Sequence, residues 1–417
     1  MFKFIHAADL HLDSPLQKLE RYEGVPVDEV RGATRHALEN LVDLALAEEV
    51  ALVILAGDLY DGDWKDYNTG LFLNAQMVRL QEGGVRVLLI RGNHDAANTM
   101  TKSLRLPENV RSFSEKRPET EILEDLGVAV HGQSFASRAE TDNLAAGYPD
   151  PVPGMFNIGM LHSSVTGREG HENYAPCSLE TLTLKGYDYW ALGHAHTREI
   201  LSRTPFVAYS GNIQGRHARE TGPRGCWLVT VDDGIMQEPE FRELDTVRWE
   251  LVSVDLTGAR TGSEAVDRAV PELGAAVERG EERPVIVRIE MGGGCPADVE
   301  LRSDIRKWEN ELRSRAQEIG RGRIWVEKVV LNTRAPDHGE RLGEGPLQEI
   351  MALLDELEAD DETFAGLCAE LEGFWAKVPP ELRRGRDSLA PGNPDRIRDL
   401  LGRVRPLLLD RFERGEA

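Results

Sequence analysis

Ala51-Leu52-Val53-Ile54-Leu55-Ala56-Gly57-Asp58 is an unbroken apolar run closed by a glycine and a carboxylate. A strand with one face in water alternates apolar and polar residues, whereas a run without alternation is buried on both faces. The sheet that holds this strand must therefore be covered on both sides, and Asp58 emerges at its end, where a loop presents a charge without stranding it in the core. The same pattern recurs on either side. Phe2–Ala8 runs into Asp9-Leu10-His11, and Val85–Ile90 leads to Gly92-Asn93-His94-Asp95. Phe156–Leu161 ends at His162, and Tyr187–Leu192 at Gly193-His194-Ala195-His196. Val128–His131, Phe206–Tyr209 and Cys226–Val231 extend the series. Between them, residues 27–49 carry a helical stripe (Val30, Ala33, Ala37, Leu38, Leu41, Leu44, Ala45), and 69–82 reads as a helix stopped by Gly83-Gly84. Buried strands alternating with helices give an α/β class.

The polar residues at these strand ends share one chemistry. Asp9 and His11 stand two apart, as do His194 and His196; in an extended segment such pairs point the same way and can meet one cation. Asp58 has two oxygens with which to bridge two ions, Asn93 offers an amide oxygen, and His162 adds an imidazole. Gly57, Gly92 and Gly193 let the loops turn tightly. Imidazole mixed with oxygen suits manganese, iron or zinc better than calcium or magnesium. One Asp-x-His says little, because a lone histidine at a strand end is usually a hydrogen-bonded structural residue. Five such motifs in order, each after a strand, predict a pocket for two divalent ions and hence phosphoester hydrolysis.

The chain's 417 residues suit two or three domains. Its 49 basic and 72 acidic residues leave a net charge of −23, so nucleic-acid binding cannot rest on overall charge and requires a local patch or metal-mediated contact. Cys177, Cys226, Cys295 and Cys368 are scattered, as expected of isolated reduced thiols rather than a disulfide framework or structural zinc. The apolar start stops at Asp9, too soon for a secretion signal, and no run has the length of a membrane span; the expectation is a cytoplasmic protein. Residues 1–245 are expected to form the metal-binding domain, 246–335 a smaller α+β domain and 336–417 a helical tail. In the tail, Leu347, Ile350, Met351, Leu354 and Leu357, then Ile397, Leu400, Leu401, Val404, Leu407 and Leu408, fall at helical spacing.

The ordered set Asp-x-His, Gly-Asp, Gly-Asn-His-Asp, His and Gly-His-x-His resembles the calcineurin-like metallophosphoesterase superfamily. The stretches His6–Pro15, Tyr189–His196 and Tyr209–His217 resemble more closely its SbcD-like, YhaO-type DNA repair exonucleases. The resemblance is strong to about residue 240, architectural to about 335 and weak beyond. It implies a two-sheet sandwich flanked by helices. It assigns Asp9, His11, Asp58 and His196 to one metal, and Asp58, Asn93, His162 and His194 to the other. It makes His94 the catalytic histidine beside the scissile phosphate. In one place the chain departs from archaeal and eukaryotic relatives, which carry a second active-site histidine where this chain has Asp61. The implied reaction is manganese-dependent exonucleolytic, and also endonucleolytic, cleavage of DNA in repair. The implied partners are DNA, a coiled-coil SMC-like ATPase and a second copy in a homodimer, with no membrane.

Other readings come from the residues alone. Asp95 is a candidate to orient His94, or else a loop hydrogen-bonder. Arg198, Arg203, Arg216, Arg219 and Arg224 cluster after the last ligands. They form either a solvated face or a contact zone for phosphates, with Arg198, Arg216 and Arg219 the candidates for substrate. His171 and Tyr174 are candidates for the substrate entrance; His36, His131 and His338 read as structural. The tail either packs on its own domain or docks the ATPase, which must be another polypeptide because this chain has no Gly-x-x-x-x-Gly-Lys-Ser/Thr loop. Two alternatives to a nuclease stand: a small-molecule phosphodiesterase or phosphatase, which would not require the second domain and tail, and a non-catalytic adaptor, which would have lost ligand positions.

Overall fold

The computed structural model describes residues 1–14, 27–61, 67–97, 105–165, 174–335 and 346–375, with single positions between 377 and 404. The first elements are β1 (Phe2–Ala7), α1 (Val27–Ala47), β2 (Leu52–Ala56), α2 (Asn68–Glu82), β3 (Arg86–Ile90), α3 (Asn93–Ala97), β4 (Val110–Ser112), β5 (Glu119–Leu123) and β6 (Val128–Gly132). Then come β7 (Phe156–His162), α4 (Leu179–Leu184), β8 (Tyr189–Gly193), β9 (Glu199–Arg203), β10 (Phe206–Tyr209), β11 (Gly225–Asp232), β12 (Ile235–Met236) and β13 (Glu240–Glu243). Among the described residues they make two sheets, ordered β12-β11-β1-β2-β3-β4, with β13 also on β11, and β5-β6-β7-β8-β10-β9. The centre of each sheet is parallel: β1, β2, β3 and β4 in one, β6, β7, β8 and β10 in the other.

Alternate residues of the apolar runs serve different cores, which is why the runs show no polar face. Phe4, Leu52, Ile54, Leu88 and Ile90 pack between the sheets with Val130, Ile158, Met160, Tyr189 and Phe206. Their neighbours Ile5, Val53, Leu55, Val87 and Leu89 face outward onto Leu38, Leu41 and Val42 of α1 and Leu73, Met77 and Leu80 of α2. On the far side, Leu161, Trp190, Leu192 and Val207 meet Leu182 of α4 and Tyr148. Each such side chain taken wholly from water contributes about 1.5–3 kcal/mol. The expected helix-flanked, two-sheet sandwich is what the chain forms.

Strand boundaries follow the apolar runs to within a few residues. The sequence reading left out β4, β5, β9, β12 and β13, whose side chains are largely half-buried or exposed and so carry no long apolar run.

The chain divides into two compact units. One holds Met1–Leu251, Ala276–Arg288 and Gly320–Glu327; the other holds Val252–Ala275, Ile289–Ile319 and the chain from Lys328 on. The later elements are β14 (Arg248–Asp255), α5 (Gly262–Arg279), β15 (Val285–Gly294), α6 (Asp298–Ser303), α7 (Ile305–Gly320), β16 (Ile324–Arg334), α8 (Pro346–Ala359) and α9 (Asp361–Trp375). Strands β14, β15 and β16 form a three-stranded sheet, and β14 alternates buried with exposed residues. Within the second unit α8 packs on α9. Met351 and Phe364 are buried there, and Arg398 lies over the Phe364 ring. The stripe at Ile350, Met351, Leu354 and Leu357 is buried or half-buried, while Leu407 and Leu408 lie outside the described residues. No helix among the described residues is long and apolar enough to cross a membrane.

Candidate metal centre

The ends of β1, β2, β3, β7 and β8 bring Asp9, His11, Asp58, Asn93, His162, His194 and His196 into one place. Backbone bonds splice the first two loops together: Asp9 N–H donates to Gly57 O, His11 N–H to Asp58 O and Leu12 N–H to Leu59 O, each at 3.0 Å. The convergence has a different cause from the expected one. Asp9 and His11 do not project from a pleated strand, because β1 ends at Ala7. Asp9 (φ 52°), His11 (φ 42°), Asp58 (φ 52°) and His194 (φ 99°) all sit in the left-handed region. Non-glycine residues pay about 1–2 kcal/mol there. Such strain persists where a site demands it.

Two further contacts fix the carboxylates. Both oxygens of Asp9 accept from the His194 N–H, at 3.1 and 3.0 Å. Asp58 Oδ1 accepts from the His94 N–H at 3.0 Å. Packing leaves no slack: a Cβ on Gly193 would lie 1.9 Å from Ala56 O, and one on Gly92 would lie 2.3 Å from Asp58 Oδ1 and 2.8 Å from the His162 ring. Gly92→Ala must displace Asp58. The expected result is a loss of phosphoester turnover by about 100-fold, the scale of a 1 Å misplacement. Steady-state kinetics on the folded variant checks it, and wild-type turnover would mean that Asp58 has no such role.

The atoms facing one another can each give a lone pair to a cation. His162 Nδ1–H donates to Ala56 O at 3.0 Å, which leaves the Nε2 lone pair 3.0 Å from Asn93 Oδ1 and 3.3 Å from Asp58 Oδ2. His11 Nε2 and His196 Nε2 stand 3.2 Å apart, and His11 Nε2 is 3.9 Å from Asp58 Oδ2. Acceptors packed this way repel unless a proton or a cation lies among them. Asp9, His11 and His196 offer ligand atoms within 4.8 Å of one another; so do Asp9, Asp58 and His162, and so do His11, Asp58 and His94. The donor set fits divalent ions.

Electrostatics agrees. Burial opposes a charge on His162, but Asp58 outweighs it and lifts the imidazole to about 9: without a cation, a proton is held instead. Burial resists ionisation of Asp58, yet His162, His11 and His94 hold its carboxyl below the usual range. Burial, with Arg216 nearby, keeps His11 neutral, the form that binds metal.

His94 Nδ1 lies 3.0 Å from Asp61 Oδ1, and this bond raises the imidazole above its ordinary range. Asp61 is thus placed to orient His94, a part for which the sequence reading named Asp95 as a candidate. Asp95 is wholly buried. It accepts from the N–H groups of Leu59, Tyr60 and Gly92 at 3.1 Å each, tying the loop after β2 to the loop after β3, and burial pushes it up to about 7. These three bonds match its reading as a loop hydrogen-bonder.

The arginine cluster disperses. Arg224 is buried, bonded to His196 O, Asn212 Oδ1 and Thr221 O; Arg203 pairs with Glu238 at 2.5 Å; Arg198 lies over the Phe241 ring, 4.0 Å from its centroid. Arg219 is exposed. Arg216 reaches the pocket, with Nη1 3.5 Å from Asp61 Oδ2. Tyr174 meets His194 edge-on at 5.6 Å, while His171 and His338 lie outside the described residues. His131 is buried between Thr120 and Asn157, as its structural reading requires, and His36 is exposed. Sequence reasoning missed Glu220, whose Oε1 lies 2.7 Å from His196 Nδ1. Nothing in Ala218-Arg219-Glu220-Thr221 distinguishes it in so acidic a chain.

Comparison with known proteins shows the family. A family model described as calcineurin-like phosphoesterase matches residues 2–198. Another, described as the middle domain of metallophosphoesterase YhaO, matches residues 249–334. The chain is 37% identical over 297 residues to a Bacillus subtilis protein named uncharacterized metallophosphoesterase YhaO, covering 70% of this chain and 72% of that one. It is 27% identical over 419 residues to the DNA double-strand break repair protein Mre11 of Methanopyrus kandleri, covering 91% and 84%. Its identity to the Haloferax volcanii protein of the same name is 25% over 392 residues, covering 87% and 83%.

Proposed function

Since the chain belongs to the YhaO-type metallophosphoesterases, a family of metal-dependent phosphoester hydrolases, we propose that its substrate is the DNA backbone and that it is a manganese-dependent exonuclease with endonuclease capacity. The observation that carries the hydrolytic half is the packing of imidazole nitrogens against one another and against carboxylate and amide oxygens around Asp58. What supports DNA is the likeness, along most of the chain, to two proteins named for DNA double-strand break repair.

In this reading Asp9, His11, Asp58 and His196 hold one ion, and Asp58, Asn93, His162 and His194 the other. Bound divalent ions supply Lewis acidity toward water and toward phosphoryl oxygens. The protein supplies the rest. The Gly57 and Gly92 loops, bound together through Asp95, fix Asp58 and Asn93 on a rigid base. Asp61 holds the His94 Nδ1–H, which leaves Nε2 to carry the proton that the leaving sugar oxygen takes. Arg198 and Arg219 contact flanking phosphates, and Arg216 acts at the pocket itself. A coiled-coil ATPase is the proposed partner, the helical tail its proposed dock, and a homodimer in the cytoplasm the proposed working form.

With manganese, the purified protein is expected to degrade end-labelled duplex DNA far faster than it hydrolyses a generic aryl phosphodiester. Aryl ester turnover alone would move the substrate to the small-molecule class, and turnover of neither would leave an adaptor of an ATPase.

A further inference from the structure

Glu220 lies in the segment between β10 and β11, its side chain 5% exposed, and neither the ligand set nor the proton path above uses it. It is fully engaged. Oε1 faces His196 Nδ1 at 2.7 Å and Arg216 Nη2 at 3.2 Å. Oε2 accepts from Asn212 Nδ2 and from the Arg216 N–H, both at 2.8 Å. Its own N–H donates to His217 O at 2.8 Å. The loop around it is pinned in turn: Arg224 Nη1 bonds Asn212 Oδ1 at 3.1 Å and also reaches the carbonyl of His196.

We propose that Glu220 is the positioning residue of the metal centre, fixing the tautomer and the rotation of His196. A carboxylate oxygen 2.7 Å from an imidazole nitrogen requires a hydrogen between them, because two bare acceptors at that distance repel. Arg216 Nη2 also lies 3.2 Å from Nδ1, but it donates to Glu220 Oε1, and the shorter carboxylate contact puts the N–H on Nδ1; the lone pair of His196 then lies on Nε2, the atom 3.2 Å from His11 Nε2. Carboxylate–histidine–metal relays hold ligands in this way, and losing the outer carboxylate typically costs about 10–100-fold in metal affinity. The brace reaches further. Arg216, neutralised by Glu220, extends Nη1 to Asp61 Oδ2 at 3.5 Å, and Asp61 Oδ1 holds His94 at 3.0 Å. One buried carboxylate thus steadies both a ligand histidine and the support of the proton-bearing one.

The proposal rests on the two-ion reading, so its test keeps the two separable. Manganese is titrated calorimetrically into metal-stripped, full-length wild type, Glu220→Ala and Glu220→Gln, and the unfolding midpoint of each metal-free form is recorded. Wild type takes up two ions. Glu220→Ala holds one as wild type does and the other about 10–100-fold more weakly. Glu220→Gln, whose amide oxygen still accepts from Nδ1, recovers part of that loss. Should wild type take up no manganese, the metal reading itself fails. Should wild type take up two ions and Glu220→Ala hold both unchanged, this proposal alone fails. A Gln variant no better than Ala, with both metal-free midpoints lowered alike, would make Glu220 a support of the loop and overturn the positioning role.

Discussion

His94→Ala is expected to lower phosphodiester turnover by about 100- to 10,000-fold, the range that a positioned general acid contributes, while manganese uptake stays at two ions per chain. The two effects separate because His94 and the ligands are held differently. Its side chain is about one-third exposed and held by Asp61, whereas His11 and His162 are wholly buried. Although its ring lies near His11 and Asp58, the contact that shapes the ligand set is its N–H, which donates to Asp58 Oδ1 and which an alanine keeps. Rapid-quench kinetics beside calorimetry on one preparation decides the matter. Near wild-type turnover would remove His94 from the reaction, and lost manganese uptake would make it a ligand.

Chelation is expected to abolish turnover and also to change how the fold answers to pH. Without cations, the acceptors around Asp58 need a proton, and His162 supplies it. Its imidazole is raised from 6.5 to about 9 in the folded chain. A raised folded value stabilises fully below the unfolded one, and the stabilisation disappears as pH climbs through the folded one. The metal-free protein should therefore lose stability between pH 6.5 and about 9. The manganese-loaded protein should not, because the ion holds His162 neutral throughout. Each ion bound should also add about 2.7 kcal/mol at a free ion concentration 100 times its dissociation constant. Unfolding midpoints across that pH range, with and without manganese, check both parts. Parallel curves for the two forms would show that no cation neutralises the Asp58 cluster.

The strands that carry the site were legible because burial on both faces leaves an unmistakable run, as at Leu52–Ala56 and Phe156–His162. Edge strands such as β5 and β9, with side chains largely half-buried or exposed, leave no such mark. The pocket residues were legible as a set because each follows a buried strand. Their geometry was not: the sequence suggests a pleat at Asp9 and His11, and the chain uses left-handed turns instead. Nor could sequence distance separate Asp95 from Asp61. Asp95 adjoins His94, but its carboxylate goes to three backbone N–H groups, whereas Asp61 arrives from the loop after β2. The arginine cluster was legible in sequence, but not how its members divide in space. Neighbours in sequence, Arg198, Arg216 and Arg224 serve an aromatic stack, a buried carboxylate and a loop carbonyl. Glu220 gave no signal at all, since what it does depends on a fold that carries it to His196.

Anomalous scattering at the manganese edge, from crystals grown with that ion, is the most direct test of the centre. Two peaks flanking the Asp58 carboxylate, one beside His11 and His196 and the other beside Asn93 and His162, are the predicted result. A map without signal there, at an occupancy that manganese elsewhere in the crystal attains, would contradict the account.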